Sequence, residues 1–268
     1  MKNILKNTLA ILAITALFTS CNSDDAVVNN ISGTGNIGIE FDNAFGENDL
    51  ILNTQSNTTS NDEVLKIGKI KFIISNIVLT DENGVTFTYP KNESYFIVDE
   101  SDESSLVLDL ENIPAGNYTK VKFGIGVDQA QYELGESNQG DFLVCAQNQG
   151  MMSGWADGYK FILFEGIFTA PTITNPTDFI VHTCKTYPSY NYTEVTLDLP
   201  TKALVRTTIT PELHIVADLS KIIDGNNKIK LSDHVMEGTG AMIMDDATMA
   251  GISLNLISMF TVAHVHND

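Results

Sequence analysis

The chain has 268 residues, with 15 basic and 34 acidic side chains and a formal net charge of −19. Such a field repels nucleic acid and anionic lipid and mildly concentrates cations, which excludes nucleic acid as a partner. Hydrophobic content of 43% is ordinary for a globular protein, so the chain can build a core.

The first element is a targeting segment. Lys2 and Lys6 precede an apolar stretch from Leu9 to Phe18, which ends in Thr19-Ser20-Cys21. A basic start, a short apolar run and small residues before a cut site predict a signal peptide over residues 1–20. The apolar run is too short to span a membrane stably. A cysteine at the first mature position marks the bacterial lipoprotein version, in which the Cys21 thiol is acylated. An ordinary signal peptide with an incidental cysteine is the alternative. Asn22-Ser23-Asp24-Asp25 resembles the acidic export signal of Bacteroidetes-type surface lipoproteins. The expected location is the outer membrane, facing the periplasm or the cell surface. Residues 21–35 then read as a flexible polar tether with Gly33 and Gly35.

From residue 36 to 268 strand signals dominate, and we expect one β-domain there. Ile37, Ile39 and Phe41 alternate with Gly38 and Glu40, and Leu65 to Leu79 is a long β-rich run. That run ends at Asp81-Glu82-Asn83-Gly84, a hairpin turn signal, with Val85, Phe87 and Tyr89 alternating on the return. Further strands are predicted at 95–98, 106–110, 121–127, 159–168, 179–182, 195–199 and 204–219. About ten short strands argue for an all-β, antiparallel sandwich. Two regions break the pattern. Residues 128–158 read as a long polar loop, and 232–268 as a methionine-rich tail. In that tail Met249, Ile252, Leu256 and Met259 are spaced for one short helix.

Candidate sites follow from the remaining chemistry. Cys145 and Cys184 are the thiols left in an oxidising compartment and are expected to form a disulfide; two buried free thiols are the alternative. His264-Val265-His266 puts two imidazoles on one side of an extended segment, where they can reach one metal. The same pattern also suits a solvated tail, but here it follows an apolar run, Leu254 to Val262, that should be packed. Methionines 151, 152, 236, 242, 244, 249 and 259 offer soft sulfur suited to Cu(I), or simply fill gaps in the core. Trp155, the only tryptophan, reads as a packing anchor, and His214 as a structural histidine facing away from Leu213 and Ile215. His182 ends a predicted strand two residues before Cys184, and His234 precedes the tail. No nucleophile elbow, His-Glu-x-x-His helix or phosphate loop is present, so no enzyme is expected.

Several of these segments resemble the MbnP-like family. Ile74 to Asp81 (ISNIVLTD) is similar to its YYISNIxLTD strand. Tyr95 to Glu100, Ile113 to Tyr118 and Phe123 to Asp128 look like its central block. Trp155 to Gly166 (WADGYKFILFEG) resembles its WxxGYxFxxxEG segment, and Met259-Phe260 with His264 to Asn267 resembles its MF…DHVHN end. The resemblance implies a copper-binding β-sandwich, whose relatives use histidines and a tryptophan oxidised to kynurenine at the metal. Carried over by position, the matching residues are Trp155, His182, His264 and His266, with His214 matching a strand histidine; Trp155 is a neighbour of the metal that becomes a ligand only if oxidised. Ser153, Glu237 and Ile73 stand where the family often has an aromatic residue, a histidine and a tyrosine.

The expectation is therefore a lipid-anchored envelope protein that captures or delivers copper, with zinc possible at the same ligands and an outer-membrane uptake protein as a potential partner. His264 and His266 rank first among the ligands, His182 next and His214 after it. The Trp155 loop, His182 and the terminal histidines are expected to converge at one end of the sandwich. A surface binding or adhesion lipoprotein that keeps the fold without metal is the alternative.

Overall fold

Alternation of apolar and polar residues along strands such as Pro211–Asp218 gives this chain two sheets whose apolar faces meet. The computed structural model describes residues 31–152, 154–186 and 189–268, so the predicted lipidation of Cys21 and the signal peptide lie outside the described residues. Eleven strands carry the architecture: β1 (Thr34–Phe45), β2 (Val64–Asp81), β3 (Tyr95–Asp99), β4 (Val107–Pro114), β5 (Gly116–Ile125), β6 (Lys160–Ala170), β7 (Ile173–Cys184), β8 (Thr193–Val205), β9 (Pro211–Asp218), β10 (Gly240–Ile243) and β11 (Phe260–Asn267). Four strands of two or three residues extend their edges.

One sheet runs β11-β9-β1, with β4 on the other side of β1; the second runs β8-β5-β2-β6-β7-β10, with β3 also on β2. Most neighbours are antiparallel, but β1 pairs with β9 in parallel, as β7 does with β10. The fold is all-β and sandwich-like, as the sequence predicts. Ile37, Ile39 and Phe41 of β1 and Leu213, Ile215 and Ala217 of β9 face the second sheet and are buried. At the centre Phe41, Phe72, Phe123 and Phe260 pack edge to face, with ring centroids 5.2–6.0 Å apart. Those contacts suit the aromatic quadrupole and hold the two sheets in register.

The Asn83-Gly84 turn forms as expected. Gly84 takes φ +81°, and the Asp81 carboxylate accepts from the backbone N–H of Asn83 and Val85. The tail helix also forms, as an α-helix over Asp246–Leu256. Asp245 caps it by accepting from the Thr248 N–H, and Met249, Ile252 and Leu256 are buried.

Three expectations are corrected. The predicted strand 204–219 is two strands, because the chain turns at 206–210 before Pro211 opens β9. Residues 128–158 are more than a loop: they hold helices at Gln129–Glu133 and Asp141–Asn148 and cover the outer face of the second sheet. That cover packs Val127, Ala146, Met151 and Met152 against Ile73, Phe161 and Leu163. Cys145 and Cys184 are free thiols, not a disulfide. Cys145 is exposed on the helix over Asp141–Asn148, whereas Cys184 at the end of β7 points its Sγ at Met249 Sδ, 3.9 Å away on the tail helix. Counting leftover thiols finds a pair but ignores which elements carry them.

Candidate metal centre

The outer face of the first sheet brings three histidines together. In β9 the alternation that buries Leu213 and Ile215 turns Glu212 and His214 outward. β11 runs antiparallel beside it, with Glu212 opposite His266 and His214 opposite His264. On the other side, β1 places Gly38 opposite Glu212 and Glu40 opposite His214. Two rows cross the sheet: Gly38-Glu212-His266 and Glu40-His214-His264.

A β-bulge makes this arrangement possible. Phe260, Val262, His264 and His266 are evenly spaced by two, which on a regular strand puts all four on one face. The register slips by one between His214 and Ile215, where Ala263 is the extra residue of β11. Phe260 and Val262 therefore pack inward with Val265, while His264 and His266 turn out.

The three rings form a compact set. His214 stacks on His264 with centroids 4.2 Å apart, and His266 stands edge-on at 5.0 Å from His214 and 4.6 Å from His264. One nitrogen from each ring lies within 4.8 Å of the other two. His214 is largely covered, while His264 and His266 are exposed. Carboxylates surround the covered ring: Glu40 Oε2 lies 2.7 Å from His214 Nδ1, and Glu212 Oε1 lies 2.9 Å from Nε2. Asp42 Oδ2 is further out, 3.9 Å from Nδ1. Sequence reasoning missed Glu40 and Glu212. Glu212 was findable as the residue two before His214 on the same strand face; Glu40 comes from a non-local parallel pairing that leaves no local signal.

The expected convergence with Trp155 and His182 does not occur. Both belong to the second sheet's outer face, on the far side of the core from the three histidines. Trp155 stacks on Tyr132 with centroids 4.5 Å apart and an interplanar angle of 14°, and its carbonyl accepts from the Tyr132 hydroxyl at 2.7 Å. His182 is opposite Leu163, a member of the cluster against which Trp155 packs. Its Nε2 meets Glu165 Oε1 at 2.8 Å, and Glu165 also pairs with Lys69. Burial holds the His182 pKa below the usual histidine value despite this carboxylate, so burial dominates the pair. Its Nδ1 has no hydrogen-bond partner among the described residues. The expectation grouped four family-matching positions, but the two sheets turn them to opposite outer faces.

The remaining candidates also lie elsewhere. His234 sits 4.0 Å from Asp245 at the start of the tail helix. Met151, Met152, Met249 and Met259 are buried in apolar clusters or against the core, the gap-filling role.

A family model for MbnP matches residues 34–245. The chain belongs to the MbnP family. Among solved structures it is similar to MbnP from Methylosinus trichosporium, with 12% sequence identity and a TM-score of 0.48, over 87% of this chain and 99% of that one. No curated protein matches the sequence. The matched span of this MbnP-family chain includes Trp155, His182 and His214 but stops before His264 and His266. MbnP membership associates the chain with a role related to copper and methanobactin.

The residues fit such an ion. Nitrogens about 2.0 Å from a shared metal stand about 3.3 Å apart in tetrahedral geometry. Nitrogens already within 4.8 Å close that gap by small rotations, and the two exposed rings are free to make them. Imidazole is a suitable copper ligand, and the adjoining carboxylates favour any cation.

Proposed function

We propose that this protein is a lipid-anchored envelope protein that captures or delivers copper, and that it binds its cargo without transforming it. The observation that carries the reading is the cluster His214, His264 and His266, three imidazoles converging on an open sheet face beside Glu40 and Glu212. Family membership supports copper as the cargo. The purified protein should take up one copper ion per chain, with nitrogen couplings in the electron paramagnetic resonance spectrum of the Cu(II) form. His214→Ala should weaken uptake by about a hundredfold or more, since losing a ligand costs at least as much as losing a group that only supports one. A wild-type protein that takes up no copper rejects the reading.

Anchoring through Cys21 is a second part of the proposal, supported by the order of charged, apolar and small residues before it. Cys21→Ala should move the protein from the membrane fraction to the soluble fraction. Retention in the membrane would count against the anchor. No helix among the described residues is long and apolar enough to cross a membrane.

A further inference from the structure

We infer that Glu212 is a fourth ligand of the histidine cluster, making it a three-nitrogen, one-oxygen site for a divalent ion. The inference rests on the copper reading above and adds the oxidation state that the site prefers. Glu212 Oε1 lies 2.9 Å from His214 Nε2, and the residue is paired directly across from His266. That separation is hydrogen-bond contact, and Glu212 with Glu40 and His214 forms a second group of potential ligands on this face, so the nitrogen and the oxygen are close enough to share an ion. The partner of Glu212 on β1 is Gly38. A Cβ on Gly38 would lie 3.3 Å from the Glu212 Cγ and 3.4 Å from Oε2, so the missing side chain leaves this carboxylate its place over the sheet.

Glu40 plays a different part. It meets the opposite ring nitrogen, Nδ1, at 2.7 Å and so fixes the ring with Nε2 turned toward Glu212. A carboxylate on the far nitrogen of a ligating histidine sets the ring's orientation without touching the ion. Glu40 is thus a positioning residue and Glu212 a ligand.

The two assignments separate by oxidation state. A carboxylate oxygen is a hard donor that strengthens binding of Cu(II), whereas Cu(I) is satisfied by soft or imidazole ligands alone. Glu212→Gln keeps the shape and removes the charge. It should weaken Cu(II) binding by about 10–100-fold, shift the Cu(II) resonance spectrum, and leave Cu(I) affinity within about threefold in competition with a Cu(I) chelator under anaerobic conditions. Glu40→Gln should weaken both oxidation states together. Glu212→Gln protein with an unchanged spectrum and Cu(II) affinity would overturn the ligand assignment, as would equal losses for both oxidation states. If a His264→Ala/His266→Ala variant loses copper while Glu212→Gln does not, the Glu212 assignment alone fails. If the histidine variant binds as tightly as wild type, the site itself is misplaced and both readings fall.

Discussion

Replacing His264 and His266 together with Ala is expected to lower copper affinity by at least about a thousandfold. Two of three imidazoles leave with that change, and the set that remains, His214 with Glu40 and Glu212, offers copper one nitrogen and two carboxylates in place of three nitrogens. Supporting groups around a metal already cost about 10–100-fold when removed, and direct ligands cost more. Both side chains are exposed, so their loss should leave stability within about 0.5 kcal/mol of wild type. Copper titration read by elemental analysis, beside a urea melt of the same variant, separates the two effects. Removing any single methionine should cost far less affinity, because Met151, Met152, Met249 and Met259 are buried and Met236 and Met242 lie on strands of the second sheet. A double variant that keeps wild-type affinity would move the centre elsewhere in the molecule.

The largest stability effect should come from Phe260→Ala. This ring is buried and makes edge contacts with Phe41, Phe72 and Phe123, residues drawn from both sheets. Deleting a buried aromatic ring costs about 3–5 kcal/mol, because the neighbours relax only partly into the cavity. At a urea slope of about 2–3 kcal/mol per M, the midpoint should fall by about 1–2.5 M. Phe260 also opens β11, so its loss loosens the strand that presents His264 and His266. A loss below about 1 kcal/mol would mean that the four-ring cluster does not hold the sheets together.

Much of the fold was legible because period-two alternation is a local signal. Ile37-Ile39-Phe41 and Leu213-Ile215 announce which side of their strands is buried, and the Asn83-Gly84 turn announces a reversal. The site was legible only in part. His264 and His266 are separated by one residue, so a shared face follows from extended geometry alone. His214 pairs with His264 across 50 positions of chain and Glu40 with His214 across 174, and no local pattern encodes those pairings. The even spacing from Phe260 to His266 was itself misleading, since only the bulge at Ala263 lets core and ligand residues share that strand. Trp155 and His182 were grouped with the terminal histidines because all four match family positions. The sheet order puts them on opposite outer faces instead.

The second sheet's outer face is roofed by helices and aromatic rings, whereas two of the three imidazoles on the first sheet stand bare to solvent. An ion held there can leave by ligand exchange: an incoming donor from an acceptor molecule joins the coordination sphere before the last histidine lets go. No strand has to separate and no core has to open for an acceptor to reach the bare rings, so the proposed hand-over needs no unfolding of the β-sandwich.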